Sequence, residues 1–512
     1  MYGEKKEVSR EYEMGTESTL GADEADAREA AERISFKTKF FFGLGASGES
    51  AANWLFNVLA LFYYQQVLGL SASLAAAGIA VSLIFDAMSD PLIGSLSDRF
   101  QSRFGRRHPF MFCSAIPIAL FLFLIFNPPE VLLNSQTSLL LWFTFFTILQ
   151  RAAQTFFSVP HLAMGAELSK SYYERTRIMS FNALFAFYGT IFMHLTATVL
   201  VFGYLFEGEG GRLYQPAYTP IVLACSFFVV ITILACCFGT SDQIDKLNRY
   251  RNPDAERKSF REFVRDVVEV LKNKNYRYLL LGLFFISLTA GTHETLSVFV
   301  VTFFFELTAY QWGVLIIDNV IGSHLAFFLA AYLHERFDKR MTIVLSCIGF
   351  SISWSGATCL VLLGMAPEKG SWTLVLFIMC FGTVTSLLGT ILNISVMSAL
   401  ADIADEQELK TGRRQEGIFY SARTFFSKAL NAFGIVIAGL ALDFYVKLPP
   451  NSIPGQVAED VVFRLGIVEG PFAMIWGVLA GFAYLGYRLD KQRYQAIRRE
   501  LDERGAQAPS AS

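Results

Sequence analysis

Residues 85–110 read FDAMSDPLIGSLSDRFQSRFGRRHPF and follow the apolar run SLAAAGIAVSLI of residues 73–84. An apolar segment that carries Asp86 and Asp90 and then stops in Arg99, Arg103, Arg106 and Arg107 has the pattern of a helix made for a bilayer and anchored at one surface. The rest of the chain repeats the pattern. Hydrophobic residues make up 53% of it and aromatic residues 15%, whereas charged residues are only 17%, against about 25% in soluble domains. Long apolar runs alternate with short charged clusters, which describes a polytopic membrane protein. The net charge of −2 and the lack of a basic stripe with interleaved aromatics argue against nucleic acid. Cys113, Cys225, Cys236, Cys237, Cys347, Cys359 and Cys380 all sit in apolar runs without a C-x-x-C pair, so they read as small core hydrophobes.

A spanning helix needs about 20 mostly apolar residues. Segments of that kind cover 40–67, 73–96, 109–127, 138–165, 178–206 and 219–239, then 278–305, 311–333, 341–364, 372–400, 418–446 and 470–489. The expected fold is therefore an all-α membrane protein of 12 transmembrane helices in two six-helix pseudo-repeats. Its parts are a tail (1–35), an N-terminal bundle (36–240), a linker (241–277), a C-terminal bundle (278–490) and a second tail (491–512). The first tail is charged and Ala/Glu-rich, with a short helix predicted over ADEADAREAAERI and no apolar signal-peptide core. The linker holds one amphipathic piece, FREFVRDVVEVL.

Basic residues concentrate in the loops after spans 2, 4, 8 and 10: the arginines already named, then Lys170/Arg175/Arg177, Arg336/Lys339/Arg340 and Lys410/Arg413/Arg414. Those loops, the linker and both termini are expected to be cytosolic, in an inner or plasma membrane. Six plus six helices with both ends inside matches the two parallel halves of the major facilitator fold. GSLSDRFQSRFGRR after span 2 is echoed by AYLHERFDKRM after span 8, where such a repeat requires it.

Charge inside hydrocarbon is expensive, so each intramembrane charge is a functional hypothesis. Asp86 and Asp90 lie four apart, on one face and about 6 Å from each other along the axis. Their repulsion is relieved by a bound cation, by a proton, or by basic partners on neighbouring helices. In span 4, Arg151, Thr155 and Ser158 form one polar stripe, with Pro160 freeing a carbonyl that Thr155 could cover. Arg151 suits an anionic group of a substrate, or an ion pair with Glu49, Asp86 or Asp90. Lys428 has a polar flank of Tyr420, Thr424 and Ser427; Glu294, Asp318 and Asn319 mark spans 7 and 8; His194 and His293 read as satisfied interior histidines. The chain has no H-E-x-x-H, G-x-S-x-G or G-x-x-x-x-G-K-[ST] motif, so an enzyme is not expected. A non-transporting receptor would not require so many buried charges.

With these residues assembled, FDAMSDPLIGSLSDRFQSRFGRRHPF resembles the helix 2 signature of the glycoside–pentoside–hexuronide:cation symporters, the melibiose-permease-like branch of the major facilitators. FFSVPHLAMGAELSKSYYERTRI is similar to that family's helix 4 and the loop after it, and ADIADEQELKTGRRQEGIFYSARTFFSKALNAFG (401–434) to its loop 10–11 and helix 11. The resemblance spans residues 36 to about 490. It implies symport of sugars and glycosides driven by Na⁺, Li⁺ or H⁺, by alternating access. It also implies roles: Asp86 and Asp90 as cation-site acids, Thr155 as a hydroxyl near them, and Lys428 as the helix 11 lysine. Asp402 and Asp405 correspond to acids gating the cytosolic side, with Arg103, Arg106 and Arg107 as partners and Asp98 and Arg99 in the same turn.

The sequence also departs from that family. Its sugar-binding Asp of helix 1 falls on Ser50, beside Glu49; its helix 4 Asp falls on Ser158, a Trp on Leu162, and a helix 5 Arg on Asn182. The hydroxyl-clamping set of a galactoside permease is thus absent. A lost ligand and the nearby Arg151 both weaken a Na⁺ site, which leans the coupling ion toward H⁺. The expected substrate cavity holds Glu49, Ser50, Arg151, Ser158, Asn182, Glu294 and Thr424. The expectation is a cation-coupled (H⁺ or Na⁺) symporter of a sugar, glycoside or hexuronide-type solute, working as a monomer in the bilayer with no cofactor beyond the coupling ion. An amphipathic anionic solute such as a lysolipid is the alternative on the same fold.

Overall fold

The computed structural model describes residues 33–507 apart from 101, 170, 250–264, 266, 337, 413–415 and 490. Among the described residues there are twelve long helical stretches and a shorter final helix. They are α1 (36–67), α2 (Ala72–Arg99), α3 (His108–Phe126), α4 (Gln136–Glu167), α5 (172–205), α6 (Tyr218–Gly239), α7 (Lys274–Phe304), α8 (309–336), α9 (Lys339–Leu362), α10 (Trp372–Thr411), α11 (416–446), α12 (Glu459–Tyr484) and α13 (Lys491–Gln507). Ten of the long stretches are apolar and long enough to cross a membrane. The other two are α1 and α4; α4 is made more polar by Gln150, Arg151 and Gln154.

Short polar side chains start these helices. Ser35, Ser135, Ser171, Asn273 and Ser371 each accept a backbone N–H from the first turn of the helix they precede, and Thr308 with Gln311 forms a reciprocal capping box. Several helices loosen into π-turns: Leu55–Leu59 and Tyr63–Val67 in α1, Thr196–Leu205 in α5, Val300–Phe304 in α7, Ala441–Val446 in α11 and, mid-helix, Val468–Phe472 in α12.

The two halves repeat one packing scheme. In the first, α1 packs on α5 and α6, α2 on α4, and α3 on α4 and α6; in the second, α7 packs on α11 and α12, α8 on α10, and α9 on α10 and α12. Close backbone approach at equivalent crossings needs glycine. A Cβ on Gly189 of α5 would lie 2.2 Å from the Ser47 carbonyl of α1, and one on Gly434 of α11 would lie 2.9 Å from the Gly291 Cα of α7.

Contacts between the halves gather at the end away from the basic turns. Gln65 Nε2 donates to the Leu448 carbonyl at 3.1 Å, Gln66 Nε2 to the Pro449 carbonyl at 3.0 Å, and Arg212 to the Leu307 carbonyl. Asp443 of α11 caps α2 from the opposite half, accepting the Ala72 N–H (3.1 Å), the Ser73 N–H (2.7 Å) and the Ser71 hydroxyl. One apolar cluster joins both halves there, running from Phe62 to Phe299 and Phe303, whereas a separate cluster around Tyr276, Phe419 and Tyr484 serves the basic end of the second half alone. The bundle is shut at the far end and its halves part toward the basic end.

The boundaries differ most from expectation in two places. Helix α10 runs on through ADIADEQELKT to Gly412, which ends it in the left-handed region at φ 71°. Helix α12 starts eleven residues before 470, at Glu459, because the polar run EDVVFRLGI is helical with an apolar face. Residues 1–32, with all but the last two positions of the predicted helix over ADEADAREAAERI, and six of the twelve residues of FREFVRDVVEVL lie outside the described residues. Two cysteines, Cys113 and Cys380, are exposed rather than in the core.

Candidate functional site

The acids of the opening stretch meet a base from the other half. Lys428 Nζ of α11 lies 2.9 Å from Asp86 Oδ2 and 2.5 Å from Asp90 Oδ2 of α2. The Thr155 hydroxyl of α4 donates to Asp86 Oδ1 at 2.7 Å and lies 3.3 Å from Asp90 Oδ1 and 3.1 Å from the Arg151 carbonyl. Thr155 therefore serves the acids rather than the carbonyl freed by Pro160. One ammonium holds two carboxylates, so the cluster keeps one negative charge in excess. Among the described residues no group of His, Cys, Asp and Glu has the geometry of a metal site.

The cluster forms one wall of a cavity of about 330 Å³ between the halves, lined also by Asn57, Arg151, Glu294 and Asn431. Arg151 is 8% exposed and bonds Asn57 Oδ1 at 2.8 Å, with its guanidinium 4.9 Å over the Phe56 ring. It forms no ion pair within 4 Å with Glu49, Asp86 or Asp90, and its Nε has no partner among the described residues. A second cavity, of about 530 Å³, adjoins the first through Asn57 and Glu294 and is lined by Ser50, Trp54, Trp312 and Asp318. Glu294 is exposed in this space, and its carboxylate has no hydrogen-bond or ion-pair partner among the described residues.

Of the expected substrate residues, the structure brings Ser50, Arg151 and Glu294 to these cavities. Glu49 does not line them, although it lies near enough to Lys428, Asp86 and Asp90 to interact electrostatically. Ser158, Asn182 and Thr424 are away from them, and depth is the reason. Ser158 and Thr424 sit about one turn toward the basic end from Thr155 and Lys428, and Asn182 about 12 Å below Thr190, the α5 residue that reaches the cavity. The Thr424 hydroxyl is spent on its own Tyr420 carbonyl, 3.0 Å away.

The expected gate is not assembled in this conformation. Arg106 and Arg107 pair with Glu167, at 2.7 and 2.6 Å, and Arg107 also with Asp98 at 2.9 Å. Asp402 is held by Lys339 at 2.7 Å and Asp405 by Arg498 at 3.4 Å. Arg103 rests over the Phe104 ring, and Arg99 is exposed. Each set stays within its own half because the halves part there.

Asn57, Asn431 and Glu469 were not expected. Asn57 interrupts the apolar run LFNVLALF and Asn431 lies three residues after Lys428, so both could have been found as polar breaks on a helix face. Glu469 fell one residue outside the predicted start of the last span. His293 is a buried and satisfied interior histidine, with its Nδ1 2.8 Å from Glu469 Oε1 and its Nε2 3.2 Å from the Ser355 hydroxyl.

With this geometry in hand, comparison places the chain. Residues 41–491 match the family described as MFS/sugar transport protein. The chain belongs to that family. Its members are membrane transporters, not enzymes, and the resemblance to cation symporters noted from α2, α4 and α11 agrees with it. A putative glycoside/cation symporter of Escherichia coli is 24% identical over 477 residues, covering 92% of this chain and 95% of its own. A sphingosine-1-phosphate transporter of Mus musculus is 25% identical over 475 residues, covering 89% of each. Among solved structures, a peptide transporter shares the fold with a TM-score of 0.62 at 14% identity, over 91% of this chain and 97% of that one. The protein is thus an integral, multi-pass membrane transporter of the major facilitator fold.

Proposed function

We propose that the protein is a secondary symporter that couples a cation gradient to movement of a sugar, glycoside or hexuronide-type solute. The observation that carries this reading is the bridge from Lys428 of one half to Asp86 and Asp90 of the other, at the wall of a cavity both halves line. A coupling ion that joins the two carboxylates cancels their excess charge and loosens their hold on the Lys428 ammonium of the other half, so ion binding and conformational change share one set of atoms. H⁺ fits better than Na⁺. The site offers two carboxylates and one hydroxyl, with Lys428 between them, whereas Na⁺ needs several oxygens. The solute enters the paired cavities, where Arg151 and Glu294 face it.

The basic turns are placed at the cytosol by their charge, with both termini on the same side. The conformation is then open inward, and the Arg106/Arg107 and Lys339/Asp402 clusters are the two halves of a cytosolic gate. The relative that transports sphingosine-1-phosphate supports a second reading, an amphipathic anionic solute with its head group on Arg151.

The test is uptake in proteoliposomes over a panel of sugars, uronides and lysolipids, with Na⁺ and pH gradients imposed separately. Accumulation of one class under a pH gradient supports the reading. Accumulation driven by neither gradient refutes coupling, and accumulation of lysolipids alone transfers support to the second substrate class.

A further inference from the structure

A third cavity, of about 440 Å³, lies wholly within the second half, between α7, α8, α9, α10 and α12. It shares Ser297, Asp318, Asn319 and Trp354 with the central space, so it is a side chamber of the solute path. None of the residues expected from sequence to bind substrate lines it.

The chamber has two carboxylates, Asp318 and Glu469, and no lysine or arginine in its lining. Glu469 is 5% exposed. Its Oε1 accepts from His293 Nδ1 at 2.8 Å, the His293 Nε2 lies 3.2 Å from the Ser355 hydroxyl, and the ring stacks on Trp354 with centroids 4.4 Å apart. The donation from Nδ1 leaves Nε2 of the neutral ring to accept from Ser355, so the ring is fixed and holds the carboxylate in place. Glu469 Oε2 is left buried with no hydrogen-bond partner among the described residues. A buried carboxylate oxygen without a donor is costly, and Glu469 lines the chamber, so a ligand held there is placed to supply one.

The other polar groups point the same way. The Ser353 and Thr385 hydroxyls each donate to the Phe381 carbonyl at 2.8 Å, so what they turn to the chamber is acceptor capacity. Asp318 takes part in no ion pair among the described residues. The aromatic walls, Trp354, Phe350 and Phe381, suit a cation as well. A bare proton would need neither the volume nor the rings.

We propose that this chamber is the subsite for a cationic amino group carried by the transported solute, with Glu469 Oε2 and Asp318 accepting its N–H bonds. The proposal rests on the reading of the central space as the solute path. It puts the discriminating contacts in the half opposite Arg151, and it makes an amine-bearing polyol, such as an amino sugar, the favoured class.

The experiment titrates the purified full-length protein in nanodiscs with glucosamine, N-acetylglucosamine and glucose, following tryptophan fluorescence. Glucosamine is expected to bind at least about tenfold more tightly than the two uncharged sugars. Trp354→Phe should remove most of the signal, and Glu469→Gln and Asp318→Asn should each abolish the preference. Gly382→Ala should weaken glucosamine too, because its Cβ would come within 1.8 Å of Asp318 Oδ2, and this variant leaves the His293–Glu469 pair intact if Glu469→Gln fails to fold. Equal binding of the three sugars, no glucosamine binding, or a preference that survives both Asp318→Asn and Gly382→Ala would overturn the proposal. Gradient-driven uptake without amine preference would sink this subsite and leave the symport reading standing; amine-selective binding without any uptake would do the reverse.

Discussion

Asp86→Asn tests the charge balance of the coupling site. With all three groups ionised, Asp86, Asp90 and Lys428 sum to one negative charge, and a coupling cation brings the site to neutrality. The substitution leaves Asp90 and Lys428 already neutral, so the same cation would leave one positive charge uncompensated. A cation about 4 Å from the lost carboxylate forfeits about 4 kcal/mol at an effective dielectric of about 20. Solvent reaching Asp90, whose side chain is 24% exposed, trims this to about 2–4 kcal/mol, a cation affinity about thirty to a thousand times weaker. In proteoliposomes, gradient-driven accumulation should vanish while solute exchange without a gradient persists. The double variant Asp86→Asn/Lys428→Gln restores one net negative charge on Asp90 and should recover cation-dependent protection against thermal unfolding. Wild-type accumulation by Asp86→Asn alone would refute the charge argument.

Three further outcomes follow from other parts of the molecule. Arg151→Gln should raise KM for an anionic solute about tenfold or more and leave a neutral one nearly unchanged, measured as uptake kinetics, since the guanidinium lines the central cavity without an ion pair to Glu49, Asp86 or Asp90. Asp443→Asn weakens the cross-half cap on α2, costing about 1–2 kcal/mol, and should shift the population toward a conformation open at the far end, read from spin-label distances across that end. Gly189→Ala drives a methyl into the Ser47 backbone and should lower stability by about 1–3 kcal/mol in thermal unfolding, whereas Gly417→Ala, which meets nothing within 4 Å, should not.

The apolar runs made the helices legible, because a bilayer span needs a length of apolar residues that chance seldom provides. Their ends were less so. The extension of α10 and the early start of α12 are amphipathic, and no hydropathy rule separates such a turn from a loop. Asp86 and Asp90 were visible as a costly pair on one face, but Lys428, more than three hundred residues away, reached them only through the family resemblance. Nothing in local spacing encodes a contact between halves. Depth was the weakest point: Ser158, Asn182 and Thr424 were on helices that reach the cavities, yet about one turn or more from them. Glu469 shows the same difficulty in reverse, since one residue of error in a predicted boundary hid a buried carboxylate.

The π-turns of α1, α5, α7, α11 and α12 all fall toward the shut end of the bundle. A π-turn is a length of helix whose hydrogen-bond ladder is already out of step, so it bends at lower cost than the regular α-helix beside it. The molecule is therefore mechanically uneven. Its basic end is held by ion pairs, and its shut end is made of compliant segments held by carbonyl contacts and apolar packing. Motion that parts the shut end can be absorbed as curvature spread over several helix tips, with no need for two stiff bodies to slide past each other.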